Sequence, residues 1–313
     1  MTDPPASPAA TTALLGEIAA RFTTTMRAPV LGSPASVGLA FEEVVFPATD
    51  GVALEGWFVP ASSPRATVIA THPRGFSRTG LPADQEPWRA IHAETGNDIA
   101  VDFLPDIRVL HDAGYEVLAF DLRNSGWSGA ANGGVTSSGR FEARDVRGAL
   151  RFVRSRSPRP TIPVALVTRC LGANAAFFAM SQAPDEFDQV RCVVACQPLS
   201  PAQVLRRTLE RRGVPIQNMI ELDRLVQLRA GFTLADLSPV EAARSVRPPT
   251  LMYQVRDDVM TRPDDVQAIH DAVGTSDKEL FWIDGTTRRW DGYLHFQRHP
   301  DRVLAWLDRH TRS

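Results

Sequence analysis

Five stretches of this chain are apolar too continuously for strands with one wet face: ATVIATH (66–72), YEVLAFD (115–121), PVALVT (163–168), CVVAC (192–196) and TLMYQV (250–255). Each predicts a strand buried on both sides. The segments FLPDIRVLHDAG, GRFEARDVRGALRFVRSR and GANAAFFAMSQA lie between them and carry helical patterns of suitable length. Buried strands alternating with helices predict βαβ units, hence an α/β protein with a doubly wound, mainly parallel sheet. Ahead of these units, FEEVVFPATD and VALEGWFVPA are split by Asp50-Gly51, a hairpin signal that predicts a short antiparallel start. KELFWID (278–284) predicts the last strand and DRVLAWLDRH the closing helix.

Two segments break the alternation. Residues 77–103 form a long Gly- and Pro-bearing excursion with Trp88 and His92, and 201–246 is a polar helical insertion, predicted to be a lid. Residues 1–38 are predicted to form a leader helix, with Leu14, Leu15, Ile18 and Phe22 on one face. The core then comprises 39–200 and 247–313.

The balance of 34 basic against 36 acidic side chains leaves no surplus for gripping phosphate backbones, so a nucleic-acid partner is not expected. No run of 18 apolar residues exists, and the opening lacks a positive start and an apolar stretch, so the expected compartment is the cytoplasm and no membrane partner is expected. Oligomeric state is not legible. Three cysteines, Cys170, Cys192 and Cys196, do not make a disulfide framework.

Chemistry concentrates at PVALVTRCLGANAAFFAM. A buried strand runs through Arg169-Cys170-Leu171-Gly172 straight into a helix of small and apolar residues. Strand, one-residue turn and helix are the context of a nucleophile elbow, which lifts one side chain above the end of a sheet. Unpaired N–H groups at the start of the helix favour negative charge there, and the reactive form of a thiol is the thiolate. Cys170 is the candidate nucleophile. Cys192 and Cys196 lie within a buried strand and are expected to be inert.

With these residues the chain resembles the α/β-hydrolase family over roughly residues 40–308. HDAGYEVLAFDLRNSGWSG (111–129) is similar to its strand and following turn, with Asn124 where Gly is usual. THPRGF (71–76) is similar to its oxyanion loop, VRDDVMTRPDD (255–265) to its acid loop and HFQRHPDRVLAWL (295–307) to its histidine segment. Some members, dienelactone hydrolases among them, carry cysteine in the elbow. The family's G-x-S-x-G reads Thr168-Arg169-Cys170-Leu171-Gly172 here, with a β-branched residue in place of the first Gly.

The resemblance implies a catalytic triad of Cys170, Asp258 and His295. Asp257 is a rival acid, and His299 and His270 are rival histidines. It also implies oxyanion donors from the N–H groups of Leu171 and of Arg74 or Gly75. His72, at the head of that loop, is expected to shape the turn. In the loop before His295, the cluster Arg288, Arg289 and Trp290 offers a guanidinium for a substrate carboxylate, so Arg289 and Trp290 are candidate substrate-binding residues. No HExxH, paired CxxC or P-loop pattern occurs, so no metal or other cofactor is expected.

The expected activity is hydrolysis of a small-molecule ester, lactone or thioester through a cysteinyl acyl-enzyme. The alternatives on the same scaffold are a non-catalytic ligand-binding homologue, acyl transfer or cyclisation, and C–C cleavage.

Overall fold

The computed structural model describes residues 8–156 and 162–312. The first seven residues, part of the start from which the compartment was argued, lie outside the described residues. Asp50-Gly51 turns one strand back on the next: β1 (Glu42–Pro47) and β2 (Ala53–Val59) pair antiparallel, and Gly51 takes the positive φ of 87° at the turn. The continuous apolar runs form β3 (Thr67–Ala70), β4 (Glu116–Phe120), β5 (Val164–Arg169), β6 (Val190–Cys196) and β7 (Thr250–Val255). β8 (Lys278–Ile283) follows. The eight strands lie in the order β1-β2-β4-β3-β5-β6-β7-β8, and every neighbouring pair from β4 onward is parallel.

The principal helices are α1 (Pro8–Thr23), α2 (Leu104–Asp112), α3 (Ala143–Arg156), α4 (Leu171–Gln182), α5 (Pro201–Arg211), α6 (Met219–Ala230), α7 (Pro263–Ala272) and α8 (Asp301–Thr311). Because side chains alternate along a strand, β5 serves both faces of the sheet. Val164 and Leu166 pack with α3 and α4, whereas Ala165 and Val167 pack with α2 and α8. This two-sided burial is why the strand sequences do not alternate in polarity.

The chain leaves β3 for β4 on one side and returns to β5 on the other. The strand order therefore reverses at β3, and the crevice for a ligand lies outside the carboxyl ends of β3 and β5. Over that end sits a further layer. Leu15 and Ile18 of α1 pack with Leu205 and Leu209 of α5 and Leu222 and Val226 of α6 in a separate apolar cluster. The excursion after β3 pairs Gly80–Leu81 with Val101–Asp102 and adds a short helix, Trp88–His92. α1, α5 and that short helix enclose a cavity of about 510 Å³, with Arg74, Gly75 and Met260 also in its wall. No helix among the described residues is long and apolar enough to cross a membrane.

Candidate active site

β5 ends at Arg169 and α4 begins at Leu171, so Cys170 makes the turn alone, at φ 49° and ψ −107°. A residue with a Cβ held there costs on the order of 1–3 kcal/mol and persists only where its surroundings over-determine it. Here the Cys170 N–H donates to the Cys196 carbonyl at 2.8 Å, and its own carbonyl accepts from Asn174 N–H at 3.0 Å. Thr168, where the family has Gly, is accommodated because its hydroxyl donates to the Val194 carbonyl at 3.0 Å and ties β5 to β6.

Gly172 is required by close approach. A Cβ there would lie 2.0 Å from Oγ1 of Thr71, the first residue after β3. Gly172→Ala should therefore force β3 and α4 apart and lower stability by about 1–3 kcal/mol in thermal or denaturant unfolding. Adding Thr71→Gly should recover part of the loss; an unchanged midpoint in the single variant would refute the contact.

Of the three thiols, Cys170 alone keeps some exposure, 8% against 0% for Cys192 and Cys196. Burial pushes the latter two up to about 12. Neither is a thiolate at neutral pH.

Around Cys170, the N–H of Leu171 opens α4, where the first N–H groups lack partners within the helix. In the loop after β3, His72 Nδ1–H donates to the Pro73 carbonyl at 2.8 Å, and Nε2 accepts from Leu122 N–H at 3.0 Å. Burial holds this imidazole below its ordinary pKa. Both ring nitrogens are occupied in shaping the turn.

Arg74 links the elbow to the cavity. Its Nη2 donates to the carbonyls of Arg21 and, at 3.0 Å, Thr24, so it holds the C-terminal end of α1. Its guanidinium lies near Cys170 and Glu142, and its Nε has no hydrogen-bond partner. Cys170 itself is not part of the cavity wall.

On the acid side, Asp258 is buried and Asp257 is exposed. The Asp258 carboxylate accepts from Gln254 Nε2 at 2.9 Å, Thr261 Oγ1 at 2.8 Å, Met260 N–H at 2.9 Å and Arg289 Nη1 at 2.5 Å. Arg289 in turn donates through Nε to the Tyr293 hydroxyl at 2.7 Å and through Nη2 to the Gln197 carbonyl. Gln197, at φ 54°, returns a hydrogen bond from Nε2 to the Arg289 carbonyl at 2.8 Å. The Tyr293 hydroxyl lies near enough to Cys170 for the two groups to influence one another electrostatically. A hydrogen-bonded line thus runs from Tyr293 through Arg289 to Asp258, with Cys170 beside its Tyr293 end.

His295 does not lie on that line. Its ring sits 5.6 Å from Phe281, 5.8 Å from Tyr253 and 5.0 Å from His299, measured between centroids. Burial, then His299 and Arg298, bring its pKa down to about 4. The reason is local: residues 289–293 form a helical turn rather than a loop. Arg289 and Tyr293, four apart, share a face, whereas His295, two further on, points elsewhere.

The same turn corrects the expectation for the cationic cluster. Arg289 does grip a carboxylate, but it is that of Asp258, and its guanidinium is buried. Trp290 is buried as well, its ring edge-on to Phe76 at 5.2 Å and to His92 at 5.0 Å. His92 lines the cavity, and burial, then Arg74 and Arg21, push its pKa down to about 4, so it is neutral at pH 7. Sequence reasoning passed over Tyr293 and Gln197. The only signal was the four-residue step from Arg289 to Tyr293.

Neither a protein-family model nor a curated protein matches the sequence. Solved structures do resemble it nearly end to end. The esterase Pf2001 of Pyrococcus furiosus superposes with a TM-score of 0.67, at 20% identity, over 92% of this chain and 98% of its own. The α/β hydrolase GrgF from Penicillium sp. sh18 gives 0.58, at 17% identity, over 87% of this chain and 99% of its own. The esterase domain of a Rhodothermus marinus protein gives 0.51, at 16% identity, over 87% and 100%.

The chain has the α/β-hydrolase fold. The turn between β5 and α4 sets Cys170 at the carboxyl end of the sheet with the Leu171 N–H beside it. What departs from the expected triad is the group facing the elbow, which is a phenol backed by a guanidinium instead of an imidazole.

Proposed function

We propose that this chain is a hydrolase of esters, lactones or thioesters working through an acyl-enzyme on Cys170. The observation that carries the reading is the backbone of Cys170, a residue with a Cβ kept at positive φ on a one-residue turn between strand and helix. Esterases among the structural neighbours support ester chemistry.

The Cys170 thiol gives its proton to solvent, its sulfur attacks the carbonyl carbon, a C–S bond forms, and the carbonyl oxygen takes the electron pair. The N–H groups of Leu171 and Arg74 receive that oxyanion; each such donor is worth about 10²–10³ in rate. Collapse expels the alcohol or thiol, which takes the Tyr293 hydroxyl proton. Burial holds Tyr293 protonated until then, and Arg289 Nε–H, already donating to its oxygen, stabilises the charge left behind. Water then attacks the thioester, gives its proton to the neutral imidazole of His92, and the thiolate leaves. The protons on His92 and in solvent restore Tyr293 and the Cys170 thiol.

The test is the acyl-enzyme itself. A slow p-nitrophenyl ester should leave one acyl mass on the peptide containing Cys170. His92→Ala should accumulate that adduct, because acylation continues while water attack slows, and turnover should fall as pH drops through about 4, where His92 takes up a proton. Turnover with no adduct on Cys170 under any of these conditions would reject the mechanism.

A second reading is favoured by one observation, the commitment of Asp258 to Arg289 instead of to an imidazole. It is a ligand-binding protein on a hydrolase frame. Saturable ester binding with Cys170 never acylated would establish it.

A further inference from the structure

The cavity above the elbow has an unbalanced wall. Leu14, Ile18, Phe22, Trp88 and Leu205 make it largely apolar, and its volume of about 510 Å³ is that of a small-molecule site. Its charged groups are Glu17, Arg21, Arg74, Glu94, Arg211 and Arg212, alongside neutral His92. Two pairs close among themselves: Arg21 with Glu17 at 3.7 Å and Arg212 with Glu94 at 2.8 Å.

That leaves Arg74 without a carboxylate and Arg211 with only a long share of Glu94, which Arg212 already holds. Arg74 donates only to two main-chain carbonyls and forms no ion pair among the described residues. Arg211 donates to the Val259 carbonyl at 3.0 Å and to Thr208 Oγ1 at 3.3 Å, and its nearest carboxylate is Glu94 at 3.9 Å. A guanidinium fork matches a carboxylate in shape and charge. Four guanidiniums against two carboxylates in a largely apolar wall specify the occupant: a hydrocarbon chain bearing an anion.

Resting on the proposed hydrolase reading, we infer that the substrate is an ester or thioester whose apolar acyl chain ends in a carboxylate. The carboxylate sits at Arg211, the chain lies against α1 and α5, and the reacting carbonyl is presented past Arg74 to Cys170.

Two measurements test this. The first compares kcat/KM for p-nitrophenyl octanoate and for the p-nitrophenyl monoester of octanedioic acid. The carboxylated ester should be preferred by roughly tenfold to a hundredfold, the range of one charge-assisted hydrogen-bonded contact. Arg211→Met should erase the preference and Arg211→Lys retain part of it, the lysine variant guarding against a folding defect. The second measures binding of methyl octanoate and of monomethyl octanedioate to Cys170→Ala by calorimetry, where no turnover intervenes. The carboxylated ligand should bind more tightly, and the difference should vanish with Arg211→Met.

Equal rates and equal affinities for the two ligands, with Cys170-dependent turnover intact, would overturn the substrate assignment and leave the hydrolase reading standing. Selective binding of the carboxylated ligand without hydrolysis of any ester would support the anion site and overturn the hydrolase reading instead.

Discussion

Cys170→Ala should lower kcat/KM for esters and thioesters by on the order of 10⁴-fold or more, leaving only what oxyanion donors and binding supply by themselves. Cys170→Ser should be almost as damaging. A serine hydroxyl stays protonated at neutral pH and needs an adjacent base, but the group facing the elbow is Tyr293, which burial keeps protonated. Substantial activity in the serine variant would mean that an imidazole, His92 included, serves the nucleophile directly, and would contradict the proposed route through Tyr293. A third variant separates chemistry from strain. Cys170→Gly is equally inactive, yet glycine enters φ 49° without a Cβ, so its unfolding midpoint should rise, by up to about 1–3 kcal/mol in stability. An inactive glycine variant that is also less stable would mean that the elbow stores no strain.

The fold was legible because burial on both faces of a sheet leaves an unmistakable trace. Val164, Leu166, Ala165 and Val167 divide between two helical layers, and the sequence at 163–168 is apolar throughout for that reason. The elbow was legible too, since no loop residues separate β5 from α4. The surroundings of the thiol were not. Arg-Arg-Trp-Asp-Gly-Tyr contains Gly292, which argues against helix, and only the structure gives the glycine its reason: a Cβ there would fall 2.5 Å from the Gln197 side chain. Once that turn is helical, Tyr293 replaces His295 opposite the elbow. Motif order along the chain places a residue within a segment but does not fix which face it shows, and a shift of two positions on a helix turns the side chain away.

The heaviest cost to stability should come from Arg289. Arg289→Met leaves Asp258 with three donors, Gln254, Thr261 and the Met260 N–H, but with no opposite charge at hydrogen-bonding distance in a site shut off from water. Breaking a buried pair in this way typically costs about 3–5 kcal/mol, because the remaining charge loses its compensation. Asp258→Asn should cost a comparable amount by leaving the guanidinium unpaired. The double variant should lose clearly less than the two single losses added together, a coupling that denaturant unfolding of all four proteins measures directly. Arg289→Lys should not rescue. One planar fork meets Asp258, the Gln197 carbonyl and the Tyr293 hydroxyl together, and an ammonium on a flexible stem cannot reproduce that geometry. The same variants carry a readout that packing alone would not move. With Arg289 gone, the Tyr293 hydroxyl loses the donor that orients it, so the rate at which a thiol reagent modifies Cys170 should change, while Cys192 and Cys196, held up to about 12, stay unlabelled. Strictly additive losses with an unaltered labelling rate would reduce Arg289 to a filler of space and break the link between the acid and the elbow.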